Sequence, residues 1–367
     1  MIEDIKNLNI VMLSYENTSY DGRLKQLIRS MSLLGRVHLF QRKMSNIDKN
    51  STIRGKGYLS FIIEAIKFGL ANKKIDILFI DNRKCILPGK IIKLFNRRAL
   101  TVLDCRELYF FKDVHHLPGK IGCLIEGPFI KSADLVSAAN IERAEIMRDY
   151  YKLSYTPVVF ENIRSLESSE YGDDTCELFD SNCFDDEVRV ISTAGCRIED
   201  FNKKLIYGMS KLQRKCRLFF AGQYTNDELE YIQSIQKQCD FYRVVLLGRL
   251  NQSALKRVVD RCHIGIVAYS NYDINTKYCA SGKMYEFIFE GIPVVTTTNP
   301  PLKRMCETAK IGISDDEFAD GLEQVISNYE LYKRNTNSYA EKVSVEDNNK
   351  NLAEQVLSAY KKKILVK

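Results

Sequence analysis

The feature that most constrains this chain is an alternation between two kinds of segment. Short apolar runs rich in Val, Ile and Leu take turns with segments whose apolar residues recur every three or four positions. "LNIVMLS" (8–14) opens the series. "RLKQLIRSMSLLG" follows, with Leu24, Leu27, Ile28, Met31 and Leu34 on one helical stripe and Gly35 as the expected stop. "VHLF", "IDILFID", "LTVLDC", "ADLVSAAN" and "TPVVF" continue as strands, with helical segments between them such as "PGKIIKLFNRR". Such an order predicts a parallel sheet covered by helices on both faces.

The composition then shifts. "SLESSEYGDDTCELFDSNCFDDE" (165–187) is dense in acids and sparse in apolar residues, which predicts an exposed linker or loop excursion. A second series begins at "VRVISTAG" and runs through "CRLFFAG", "FYRVVLLG", "CHIGIVAYS" and "IPVVTTT". The chain closes on "NLAEQVLSAYKKKI", an amphipathic helix with a basic end. With 367 residues there is material for two cores. The expected division is an N-terminal Rossmann-like domain over 1–164, the acidic segment 165–187, a C-terminal Rossmann-like domain over 188–340, and a last helix, 341–367, crossing back to the first domain. The fold class expected is α/β, two Rossmann-like domains facing across a cleft. Ligands of open α/β sheets bind at the carboxyl ends of the strands.

Bulk properties narrow the function. No stretch approaches the roughly 20 apolar residues of a membrane span, and the amino terminus carries acids where a signal peptide needs a basic region. The eleven cysteines show no C-x-x-C and no metal-ligand spacing, so they read as small hydrophobes of a reducing cytoplasm. Residues 1–165 hold 27 Lys and Arg against 17 Asp and Glu, a balance of +10, while the remainder is −3. That asymmetry suggests an anionic partner for the first half, a membrane surface or an acidic substrate, although solvated helix faces give the same count. No nucleic-acid reader motif is present.

The stretch richest in chemistry is "SGKMYEFIFEGIPVVTTTNP" (281–300). Ser281 and Gly282 stand at the start of a helix, where unpaired amides form an anion site that small residues let a phosphate approach, and Lys283 adds charge. Glu286, one turn along, would accept the two vicinal hydroxyls of a ribose. Glu290 lies four residues further on the same face, where the two carboxylates repel. A plain capped helix with solvent-facing glutamates reads equally well from the spacing.

"SGKMYEFIFEGIPVV", with the strand "IGIVAYS" before it, resembles the carboxyl-domain signature of GT-B glycosyltransferases, in particular glycosyltransferase family 4 and related bacterial polysaccharide glycosyltransferases. "LLGRL", "FFAG", "ADLVSAANIERAEIMRDYY", "VVFENI" and "TVLDCRELYFF" resemble further segments of those enzymes, in the same order. The resemblance implies the GT-B fold and a metal-independent transfer of a sugar from a nucleotide-sugar donor. The acceptor would be a polysaccharide, glycolipid or lipid-linked glycan of bacterial surface-glycan synthesis. It implies no cofactor and no metal; the composition and charge add the expectation of a cytoplasmic place, peripheral contact with an anionic membrane and no nucleic-acid partner. Glu286 would be the second glutamate of the E-x7-E pattern. The first falls at Tyr278, which leaves the donor-sugar contact unassigned.

The same resemblance assigns the remaining site residues. Arg197 and Lys203, or Lys204, would join Ser281, Gly282, Lys283 and Glu286 around the donor diphosphate, where charge neutralisation aids its departure. Asp104, Arg106 and Glu107 sit at a strand's end as catalytic candidates. Asp104 would serve as general base or orient the donor sugar, and Arg106 would hold an anionic acceptor. A Glu107–Arg ion pair fixing the loop is the plainer alternative. Asp21, Gly22 and Arg23 would meet the acceptor, and Asp21 also reads as a helix N-cap. Two other functions fit the same fold: a non-catalytic partner subunit and a sugar-nucleotide 2-epimerase.

Overall fold

A computed structural model describes residues 7–18, 21–42, 57–72, 74–167 and 176–365. Two compact units divide the chain, one of residues 1–162 with 345–367, the other of residues 163–344.

The first unit is built on β1 (Leu8–Ser14), β2 (Gly35–Phe40), β3 (Ile77–Asp81), β4 (Leu100–Cys105), β5 (Leu135–Ala138) and β6 (Val158–Val159). All pairs are parallel, in the order β2-β1-β3-β4-β5-β6. Its helices are α1 (Gly22–Ser32), α2 (Tyr58–Ala71), α3 (Ile86–Phe95), α4 (Leu117–Ser132) and α5 (Ile141–Tyr151). Every residue of β3 and β4 is buried, which explains their dense apolar filling: both faces are covered. Gly35 is not the stop of α1, which ends at Ser32. It begins β2 beside Leu8, where a side-chain Cβ would lie 2.1 Å from the Leu8 carbonyl oxygen.

The second unit starts with the short α6 (Glu177–Asp180) and continues β7 (Val188–Ser192), α7 (Asp200–Lys211), β8 (Cys216–Ala221), α8 (Asn226–Cys239), β9 (Val244–Gly248) and α9 (Gln252–Asp260). It proceeds through β10 (Ile264–Val267), α10 (Ile274–Lys277), α11 (Gly282–Phe289), β11 (Val294–Thr296), α12 (Pro300–Ala309), β12 (Gly312–Ser314), α13 (Ala319–Ser327) and α14 (Tyr329–Ala340). Its sheet is parallel with the order β12-β11-β10-β7-β8-β9, so successive strands run outward on opposite sides of the β7/β10 pair. The crevice at the carboxyl ends of such a pair is where open α/β sheets take ligands.

The segment expected as an exposed acidic linker, 165–187, is largely exposed where it is described but is anchored to the second unit at a few positions; residues 168–175 lie outside the described residues. Leu166, Cys176 and Phe179 are buried in the second unit's core. Some of its acids are matched by cations: Asp180 meets Arg257 and Arg261, and buried Glu187 takes the Arg217 guanidinium at 2.6 and 3.2 Å. Acid density marked a surface segment, but three apolar anchors dock it.

The last helix, α15 (Val345–Leu365), belongs to the first unit. Leu352, Ala353, Val356 and Leu357 enter the core under α1, Asn349 bonds Gln26 at 2.9 Å, and Tyr360 donates to Asp76 at 2.9 Å. The cysteines are all free, and most are buried.

Candidate functional site

In the second unit the site grows from the packing of α11. Met284, Tyr285, Phe287 and Ile288 are buried, and the Phe287 ring lies so close on Gly265 of β10 that a Cβ there would stand 2.6 Å from it. This docking leaves Lys283 and Glu286 at the open edge of the helix, beside the β7/β10 crevice. Ser281 caps the helix, its Oγ accepting from the Met284 amide at 3.4 Å. Buried Asn299 braces the connection into α10, donating from Nδ2 to Asn271 Oδ1 and to the Thr276 carbonyl, each at 3.0 Å.

Over this helix start lies Arg164. Its Nε donates to Glu286 Oε1 at 2.7 Å, and its guanidinium rests on Gly282, where a Cβ would be 2.5 Å from Nε. Only glycine admits that approach. Burial pulls the Lys283 ammonium below its usual range; Glu286 acts against this, while Arg164 and Arg197 lower it further. Lys283 thus feels one carboxylate and two guanidiniums. Glu290 stands apart from the group: it is nearly buried and pairs with Lys256, so the two glutamates escape mutual repulsion by taking separate cations.

In the first unit, strand register aligns four polar residues at the carboxyl ends of adjacent strands: Ser14, Asp81, Asp104 and Ser137. Arg23 forks onto Asp104, with Nε to Oδ2 at 2.9 Å and Nη2 to Oδ1 at 2.7 Å, and reaches the Phe160 carbonyl at 2.8 Å. Ser137 donates to Asp104 Oδ1 at 2.7 Å. Arg106 forks onto Asp81 at 3.0 and 2.9 Å and also pairs with Asp21, whose other oxygen caps the Leu24 amide at 2.8 Å. Ser14 donates to Asp81 at 2.5 Å. Burial would raise the Asp104 carboxyl, but Arg23, Arg106 and Ser137 hold it below its ordinary value. Burial pushes Asp81 up to about 6 against the pull of Arg106.

These positions correct several expectations. Asp104 is fully buried with both oxygens engaged, so it is not open to take a proton from a substrate. Arg106 spends its fork on Asp81 and Asp21 rather than on an acceptor. Arg23 is 6% exposed and is the partner of Asp104, and Asp21 with Gly22 forms the start of α1. The reason is common to all four: the strand ends are desolvated, and a buried charge must be paired. Glu107 differs, being exposed and held by Asn82 Nδ2 at 3.3 Å; the Glu107–Arg pair is replaced by this amide contact. In the second unit, Ser281, Gly282, Lys283, Glu286 and Arg197 come together. Lys203 is exposed on α7 and no interaction among the described residues joins it to them, while Lys204 pairs with Glu317 and Asp200. Sequence reasoning missed Arg164 and Asn299. A lone arginine after "VVFEN" was the only signal for the first, and the asparagine of "TTTNPP" for the second.

No family model matches the chain, and no curated protein matches it. Solved structures of similar fold are numerous. A sucrose-phosphate synthase from Thermosynechococcus elongatus superposes with a TM-score of 0.72 at 13% identity, covering 98% of this chain and 100% of its own. Anabaena HepE, in complex with UDP and glucose, gives 0.69 at 12% identity over 96% and 100%. A UDP-N-acetylglucosamine 2-epimerase gives 0.61 at 10% identity over 96% and 95%. Two parallel six-stranded α/β units in series, matched along their whole length by such proteins, give this chain the GT-B fold.

Proposed function

We propose that this protein is a glycosyltransferase that moves a sugar from a nucleoside diphosphate sugar to a hydroxyl of a glycan or lipid-linked glycan, as in bacterial surface-glycan synthesis. One observation carries the proposal. Arg164 pairs with Glu286 over the start of α11, and beside that pair burial lowers the Lys283 ammonium, with Arg164 and Arg197 lowering it further by repulsion. An anion with two charges relieves that repulsion, and a diphosphate at a helix start is the ligand such geometry suits. One oxygen of Glu286 is taken by Arg164; the other is available to a ribose diol. HepE, of the same fold, holds UDP.

The transfer breaks the bond from the anomeric carbon to the diphosphate and forms one to the acceptor oxygen, whose proton must be taken up. The cations at α11 stabilise the charge that develops on the departing diphosphate, so transfer needs no metal. Of Asp104, Arg106 and Glu107, the last presents a carboxylate to solvent and is our candidate for the proton. The other two fix the strand end that carries it. The basic first unit meets an anionic membrane that bears the acceptor.

Calorimetry with UDP tests the donor site. Glu286→Ala and Arg164→Ala should each weaken binding by about 1–3 kcal/mol, the range of a charge-assisted hydrogen bond, and Glu290→Ala should change it little. Equal effects at Glu286 and Glu290 would sink the assignment. The likeness to an epimerase supports a second reading, in which the same pocket isomerises its nucleotide-sugar. Incubation with UDP-N-acetylglucosamine alone separates the two, since an epimerase converts it without an acceptor. A non-catalytic partner subunit would bind UDP and do neither.

A further inference from the structure

The helices α2, α3 and α4 form one layer of the first unit, with α3 packed against both neighbours. α2 and α4 turn large apolar side chains outward at helical spacing, and α3 exposes two at its carboxyl end. Leu59 and Ile63 on α2, Leu94 and Phe95 on α3, and Leu117 and Leu124 on α4 are 53–75% exposed. In the described part of the second unit exposed large apolar residues are scattered, and half of them are tyrosines, which is ordinary for a soluble surface. A layer of outward leucines is not ordinary.

Charge says what covers it. From α2 to α4, counting the helices and residues 96–98, there are seven Lys and Arg and two acids. Of the acids, Glu64 pairs with Lys67 and Glu126 is buried against Arg83. An apolar face ringed by cations complements an anionic bilayer. Among the described residues no helix is long and apolar enough to cross a membrane, so these helices would lie along it.

A cavity of about 840 Å³ opens beside the amino-terminal halves of these helices. Tyr58 of α2, Leu87 of α3 and Ile121 of α4 line it and are themselves exposed, so the same three helices contribute to both the cavity and the apolar face. Inside, Arg42 and Lys84 stand over the Tyr15 ring at 4.8 and 4.6 Å. No carboxylate pairs with either among the described residues. Glu107 and Asp113 are the acids of the lining. Asn82, between them and β3, has φ 67° and ψ 169°, a conformation that a side-chain-bearing residue keeps only where its surroundings force it. Its amide bonds the Asp104 carbonyl at 2.9 Å and its side chain the Arg83 amide at 2.8 Å, which fixes where Lys84 stands.

We propose that the outer face of α2–α4 docks on an anionic lipid bilayer and that the cavity receives the phosphate head of a lipid drawn from it, with Arg42 and Lys84 taking the charge. That the bound lipid is the sugar acceptor rests on the transferase reading; the docking and the binding do not.

Co-sedimentation of the full chain with vesicles tests the face. Vesicles of phosphatidylcholine with phosphatidylglycerol should bind it at moderate salt and pure phosphatidylcholine should not. The exposed pairs Leu94→Glu with Phe95→Glu, and Leu117→Glu with Leu124→Glu, should each weaken binding about tenfold with unchanged thermal melting. Calorimetry with dihexanoyl phosphatidic acid, kept below its micelle concentration, tests the cavity. Arg42→Ala with Lys84→Ala should cost about tenfold in affinity. Vesicle binding that is absent, or indifferent to the glutamate pairs, overturns the docking face. So does a lipid-free dimer that those pairs dissociate, which would assign the face to a second copy. Phosphatidic acid binding that ignores Arg42 and Lys84 overturns the cavity assignment. UDP binding measured on the same samples keeps the donor reading separate, since its loss or retention does not depend on either surface.

Discussion

Replacing Arg23 or Asp104 should unfold the first unit rather than silence it. The pair is buried, with Arg23 at 6% exposure and Asp104 at 0%, and it is joined by two hydrogen bonds of 2.7 and 2.9 Å. Arg23→Met leaves a carboxylate in the core, and Asp104→Leu leaves a guanidinium. Stranding one buried charge costs about 3–5 kcal/mol, a large fraction of the stability of a domain. The double variant strands no charge but leaves the Ser137 hydroxyl and the Phe160 carbonyl without their partners, at about 1–3 kcal/mol each. At the middle of these ranges the double variant should therefore be about 4 kcal/mol more stable than the sum of the two single costs implies. The chain has no tryptophan, so urea unfolding is followed by far-UV circular dichroism, with the transitions of the two units fitted separately. Asp104 titrates below its ordinary value in the fold, so its stabilisation is present above the unfolded value of about 3.9 and is lost as pH falls below it. UDP binding should survive in all three variants. Single costs under about 1 kcal/mol, or costs that simply add, would refute the pair as the anchor of these strand ends. A variant of full stability that has lost turnover would return Asp104 to catalysis.

Further consequences follow from the second unit. Gly282→Ala places a methyl group where the Arg164 guanidinium lies, and should reduce UDP affinity about tenfold while leaving melting nearly unchanged; unaltered affinity would detach Arg164 from the site. Burial, with Arg189 and Lys333, lowers His263 to about 4, and its Nδ1 accepts from the Arg189 amide at 3.0 Å. Its neutral form therefore contributes stability that is full above pH 6.5 and is lost as pH falls toward 4, about 1–2 kcal/mol after allowance for its partial exposure. The urea midpoint of His263→Gln should vary less between pH 7 and 4.5 than that of the parent, and parallel profiles would refute this. Transfer activity should persist in EDTA; loss restored by magnesium or manganese would mean that the cations at α11 do not suffice.

The amino-acid order alone determined the succession of strands and helices. "LNIVMLS" and "LTVLDC" match β1 and β4 residue for residue, because a strand buried on both faces is apolar apart from the few polar groups it can pair. The start of α11 was equally legible, since a small residue, a glycine and a lysine before an apolar helix are local facts. Strand β12, three residues long, gave too short a run to be seen. What only the tertiary structure decided is which charges are spent on the fold. Asp104, Arg106 and Glu107 are near neighbours in the chain, yet two are buried in ion pairs and one faces solvent. Their partners come from elsewhere, Arg23 from 81 residues away and Asp21 from 85. Arg164 reaches Glu286 across 122 residues. Such pairings leave no periodic trace in a sequence. They arise where strand register and helix docking bring desolvated groups together, and where each buried charge must find a partner or lose its charge.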